Sequence, residues 1–113
     1  MDIATLQERV SRDWVDTYSA NFAKARELLP HLDAAHGLEH VVKAVGKVTT
    51  AIEPADHGGT IDLDALMTGL ADLVISAARI ANTAQLGGIN LQRAVERRLA
   101  DVAQRNRPEH HQR

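Results

Sequence analysis

Apolar residues recur every three or four positions along most of the chain, a spacing that predicts helices rather than strands. In the first segment Ile3, Leu6, Val10, Trp14, Tyr18, Phe22, Ala25 and Leu29 share one face, and Glu8, Arg9, Arg12, Asp16 and Lys24 take the opposite side. Ser19 to Asn21 offers the backbone competing hydrogen bonds, and Pro30 ends this helix or restarts the chain just after it. A second helix is marked by Leu38, Val41, Val42, Val45, Val48 and Ile52. It is expected to begin between Asp33 and His36 and to stop before Pro54. Its valines lower intrinsic helix propensity, so packing has to hold it.

Residues 53–61 are dense in Pro, Asp and Gly and read as a loop. The third helix should open near Thr60 or Asp62, either of which can cap exposed amides. Leu63, Leu66, Met67, Leu70, Leu73, Val74, Ala77, Ile80 and Ala81 form its apolar stripe, and Ala71, Ile75 and Ala78 carry apolarity around the rest. A helix apolar on nearly all sides must be surrounded, which four short helices cannot do for one of their own members. A homodimer or tetramer is therefore expected, with Ser76, Ala77, Ala78 and Ala81 allowing close contact. Gly87 and Gly88 should end the third helix, and Asn90 should cap a fourth in which Leu91, Ala94, Val95, Leu99 and Val102 face inward. Pro108 should terminate it. The resulting expectation is an all-α, four-helix bundle over residues 1–107, completed by homo-oligomerisation, with a polar tail over 108–113. Its central antiparallel pair should run near 36–53 and 61–85.

Composition narrows the chemistry. With 113 residues the chain forms one domain, and 44% apolar residues exclude a disordered tail. Aromatics are 3%, namely Trp14, Tyr18 and Phe22, which fall four residues apart and read as packing on one helical face. There is no cysteine, which removes disulfides, thiolate catalysis and cysteine-held zinc. A net charge of −2 gives no footprint for nucleic acid. The basic residues Arg93, Arg97, Arg98, Arg105 and Arg107 are interrupted by Glu96 and Asp101, so DNA binding is not expected. No apolar run reaches the roughly 18 residues of a membrane span. Asp2, Glu8, Arg9, Arg12 and Asp13 come too early for a signal peptide, so a cytoplasmic setting is expected.

The block Leu66 to Leu99 contains Gly69-Leu70-Ala71-Asp72-Leu73-Val74 and, further on, Gly88-Ile89-Asn90-Leu91-Gln92-Arg93-Ala94-Val95-Glu96. It resembles the MazG-like, all-α nucleoside triphosphate pyrophosphohydrolases. The similarity spans most of residues 38–105 and touches Leu6-Gln7-Glu8-Arg9-Val10. In that family two facing helices carry Glu-Glu-x-x-Glu and Glu-x-x-Asp, whose carboxylates hold Mg²⁺ for attack of water between the α and β phosphorus atoms. The resemblance places the first motif's glutamates at Lys43, Ala44 and Lys47, and the second motif's glutamate at Gly69, leaving Asp72 as the retained acid. A register shifted by one turn, Glu39-His40-Val41-Val42-Lys43, restores one carboxylate. Arg98 and Arg105 match terminal basic positions, while Val102 stands where Asn is usual.

The resemblance therefore implies the family's scaffold without its Mg²⁺ cage, and a chain that acts by nucleotide or phosphate binding, or by assembly. No cofactor is expected on this reading. Lys43, Lys47 and Arg98 are its candidate phosphate ligands, as lysine can grip phosphate directly. Its plainer form is an ion pair of Asp72 with Lys43 or Lys47. One alternative is an active Mg²⁺-dependent pyrophosphohydrolase that uses Asp72 and Glu39 as metal ligands, helped by Glu53, Asp56 or Asp62. A third reading is a structural subunit completing another protein's helical bundle.

Two further patterns compete. His36-Gly37-Leu38-Glu39-His40 matches the H-x-x-E-H arrangement of inverzincin proteases, with two histidines one turn apart and Glu39 as general base. A third ligand would have to come from elsewhere, and Gly37 weakens the helix there, so the pair reads as surface histidines able to capture metal. His110 and His111 form a similar pair in the tail. Ser76 lies mid-helix with no sequence neighbours that suggest a nucleophile.

Overall fold

The structure is a computed structural model that describes residues 1–13, 32–83 and 88–107. Trp14, Tyr18, Phe22, Pro30, Gly87, Pro108 and the tail histidines lie outside those residues, as do the readings made on them. Among the described residues there are four helices and no strand: α1 (Ile3–Asp13), α2 (Leu32–Asp56), α3 (Leu63–Ala81) and α4 (Leu91–Arg105). The all-α reading therefore holds.

The centre of the fold is the antiparallel hairpin of α2 and α3. Its seam is made of small residues. Ala44 and Ala51 of α2 and Gly69 and Ser76 of α3 are all buried. Small side chains let the two backbones come close, and that approach then excludes anything larger. A Cβ added at Gly69 would stand 2.9 Å from Val48 Cγ2 and 3.2 Å from the Val48 nitrogen. One added at Gly37 would stand 2.7 Å from Ile80 Cγ1. Gly37 is thus a contact point between the helices. It does not break α2, which runs unbroken through it.

Helix ends follow the capping residues in part. Asp62 caps α3, its carboxylate accepting from the Ala65 amide at 3.1 Å, and Asn90 caps α4 by accepting from Arg93 at 3.0 Å. Asp2 does the same for α1 through Thr5 at 2.8 Å, and these hydrogen bonds hold its carboxyl below the usual range. Two ends differ from the sequence expectation. The second helix continues through Pro54 to Asp56. Proline costs the helix only the amide that would have reached the Thr50 carbonyl, and Thr50 is exposed, so water can replace it. The Pro54 carbonyl then accepts from His57 and Gly59, and Gly58 at φ +81° turns the chain away. The third helix ends at Ala81, capped by Asn82, well before the glycines.

A polar clasp joins the remaining helices to the end of the hairpin. Gln7 of α1 donates to the Ile89 carbonyl at 2.5 Å and accepts from the Leu91 amide at 3.1 Å. Its own carbonyl accepts from Asn82 Nδ2 at 2.9 Å, and the Ala4 amide donates to Gln92 Oε1 at 2.9 Å. One glutamine therefore ties α1 to the end of α3 and the start of α4.

Burial is thin. Among the described residues the buried apolar side chains are Val10, Ala44, Ala51, Ala78 and Ala81. The inward packing expected of α4 is met only in part: Leu91, Val95 and Val102 are half-buried, while Ala94 is exposed and Leu99 is 63% exposed. On the hairpin, Leu38, Val42, Val45 and Ile52 of α2 and Leu63, Met67, Leu70 and Val74 of α3 are between 38% and 65% exposed. Their spacing of four, three or seven residues puts each set on one face, about a third of a turn from the seam. The Cα radius of gyration, 17.9 Å, exceeds the ~13 Å of a compact domain of about 100 residues.

The seam generates a direct test. Gly69→Ala must push Val48 and its backbone aside, and should destabilise the chain by about 1–3 kcal/mol in chemical denaturation. Gly46→Ala, where a Cβ meets nothing within 4 Å, should be neutral or stabilising.

Candidate functional site

The candidate site lies on one side of the hairpin, beside the small-residue seam. Lys43 and Lys47 are one turn apart on α2 and so share a flank of that helix. Asp72 lies on the facing flank of α3, because it follows the seam residue Gly69 by three positions. The Lys47 ammonium donates to Asp72 Oδ2 at 2.8 Å, a direct ion pair between the helices. The sequence allowed either lysine to pair with Asp72, and the structure selects Lys47.

These groups line a cavity of about 150 Å³ together with His40, Ala44, Ile75 and Ser76. Among the described residues that line it, the cations are on α2 and the one acid, Asp72, is on α3. Among the described residues Lys43 has no carboxylate within ion-pair distance. Ser76 is buried here, with His40 and Asp72 lining the same cavity, a neighbourhood that its place in the sequence did not reveal. The signal that could have found it is the antiparallel register, which brings residue 40 opposite the end of α3 and residue 47 opposite Asp72.

One turn further towards the start of α2, His36 and His40 meet. Their Nε2 atoms are 3.3 Å apart, and the rings are set edge to face with centroids 4.8 Å apart. Burial lowers the pKa of His40 below the ordinary histidine value, and the neighbouring His36 and the Lys43 and Lys47 charges add to the effect, with Glu39 opposing it. Glu39 Oε2 stands 3.7 Å from His36 Nδ1, the opposite side of that ring.

The other sequence candidates are dispersed. Glu39 is exposed and does not line the cavity that holds Asp72. Arg98 is exposed on α4, which packs on α1, and it does not line the cavity either. Asp62 is occupied as the cap of α3, Glu53 Oε1 lies 4.0 Å from His57, and Asp56 ends α2. Among the described residues no three His, Asp or Glu side chains are grouped to hold one metal ion. At Gly69 any side chain would have to displace Val48.

No protein-family model matches the chain, and no curated protein or solved structure shows significant similarity to it.

The Lys47–Asp72 pair is partly solvated on both sides, with the side chains 59% and 33% exposed. Solvent screening limits such a pair to about 0–1 kcal/mol. A double-mutant cycle with Lys47→Met and Asp72→Asn should therefore return a coupling energy of no more than about 1 kcal/mol. A coupling of several kcal/mol would mean that the pair is buried in an assembly.

Proposed function

We propose that this chain is a MazG-like relative in which a cationic cleft takes the place of the metal site, and that it acts by binding phosphate groups. The observation that carries the reading is the 2.8 Å contact of Lys47 with Asp72, the one acid of the cleft. A carboxylate already neutralised by an ammonium group attracts a divalent cation poorly, and adjacent lysines repel one. The same lysines favour an anion. Lys43 brings a second ammonium to the cavity, and Ser76 brings a hydroxyl that can donate to a phosphate oxygen. A volume of about 150 Å³ suits a phosphate or pyrophosphate group, with the rest of a nucleotide lying outside. Asp72 also competes for Lys47, so binding of phosphate would release that pair and leave Lys43 as the main anchor.

Calorimetric titration with pyrophosphate and with dNTPs, with and without Mg²⁺, tests this directly. Binding should be unchanged or weakened by Mg²⁺, and Lys43→Glu should reduce it at least tenfold. In the Lys43→Glu, Lys47→Glu variant three acids converge and Mg²⁺ binding should appear. Mg²⁺-dependent release of pyrophosphate by the native chain would overturn the reading in favour of the active enzyme.

A second reading is favoured by a separate observation, the exposed apolar face of the hairpin. We infer that a second copy of this chain covers it. The face is aliphatic on both helices, so two hairpins laid against each other would bury like against like and form a four-helix bundle. Each side chain fully withdrawn from water there would contribute about 1.5–3 kcal/mol. Sedimentation should show a dimer or tetramer that dissociates on Val42→Glu with Leu70→Glu. A monomeric native chain at micromolar concentration would rule this out.

A further inference from the structure

Lys43 and Lys47 line one cavity, yet among the described residues only Lys47 is already in an ion pair. We propose that the two lysines have separate roles in recognising a diphosphate: Lys43 anchors any phosphoryl group, and the Lys47–Asp72 pair opens only for a ligand that brings a second one. These roles rest on phosphate binding in the cleft and narrow its ligand to a diphosphate group. Lys47 Nζ donates to Asp72 Oδ2 at 2.8 Å, whereas no carboxylate among the described residues lies within ion-pair distance of Lys43. The lysines stand one turn apart on α2, which sets their Cβ atoms roughly 5–6 Å apart. A single phosphoryl group can take Lys43 and leave the pair intact. To reach Lys47 as well, it would have to strip the ammonium group from Asp72, whose side chain is only 33% exposed, and leave that carboxylate unpaired against an anion. Like charges set that close repel, and a half-buried carboxylate without a counterion is poorly solvated.

A diphosphate changes the balance. One phosphoryl group stays on Lys43, and the second replaces the Asp72 carboxylate on Lys47 with a group of greater charge and more acceptor oxygens. Because the two phosphoryl groups share a bridging oxygen, holding the first presents the second to Lys47 at high effective concentration. The exchange swaps one ion pair for another, and no covalent bond forms or breaks. The buried Ser76 hydroxyl lines the same cavity and can donate to the ligand or to the displaced carboxylate. Asp72 therefore weakens diphosphate binding while it keeps single anions off Lys47.

Calorimetric titration of the full chain in metal-free buffer, with pyrophosphate and orthophosphate as the probes, tests this. The native chain should bind pyrophosphate at least tenfold more tightly than orthophosphate. Asp72→Asn removes the competing charge with little change of shape, and should tighten pyrophosphate binding by about fivefold or more. In the Lys47→Met, Asp72→Asn variant, where Lys43 alone remains, the preference for pyrophosphate should fall to within about threefold. Carboxyl ¹³C NMR of the native chain should show the Asp72 resonance moving as pyrophosphate saturates and staying in place with orthophosphate, a readout that needs no substitution. Equal affinity for the two probes, pyrophosphate binding that Asp72→Asn leaves unchanged or weakens, or an Asp72 resonance that ignores pyrophosphate would each overturn the proposal and leave phosphate binding through Lys43 standing. Failure of both probes to bind would remove the phosphate cleft itself, and the diphosphate assignment with it.

Discussion

The close approach of α2 and α3 along Ala44, Ala51, Gly69 and Ser76 governs the rest of this molecule. A seam of such small residues gains its energy from contact between backbones and short side chains, and little from burying large apolar groups. That choice has two consequences. It aligns the flanks of the two helices closely enough for Lys47 and Asp72 to touch, and it leaves Leu38, Val42, Val45, Leu63, Met67, Leu70 and Val74 exposed. The charged cleft and the exposed apolar face are thus outcomes of one packing decision.

The seam also gives a physical reason for the absence of an acid at residue 69. A carboxylate there would have to displace Val48, so the glycine is fixed by the helix crossing. A side chain at this position would need the helices to separate first. Lys47 is the internal counterion of Asp72, and Lys43 supplies charge that no ion pair among the described residues balances.

Much of this could be read from the residues. The apolar periodicity gave the helices, Asp62 and Asn90 marked two helix starts, and the four-residue step from Lys43 to Lys47 placed both ammonium groups on one flank. What could not be read depends on contacts far apart in the chain. Gln7 joins three helices through its side-chain amide and its backbone carbonyl, yet a glutamine on an amphipathic helix looks like any solvated residue. Ser76 lines the same cavity as His40 only because the antiparallel hairpin brings the two helices side by side. Pro54 misled in the other direction, since a proline in the last turn removes one hydrogen bond without ending the helix. The inward face expected of α4 is only half covered, because its stripe predicts a need for burial but not what would satisfy it.

The central claim is that the hairpin's inner flank holds an ammonium–carboxylate pair that keeps Asp72 from a divalent cation. Mn²⁺ replaces Mg²⁺ at oxygen sites and broadens nearby amide resonances. Its addition to the ¹⁵N-labelled native chain, with no phosphate ligand present, is the most direct measurement. The account predicts no selective broadening around Lys43, Lys47, Gly69 and Asp72. Selective loss of those amides at stoichiometric Mn²⁺ would contradict it.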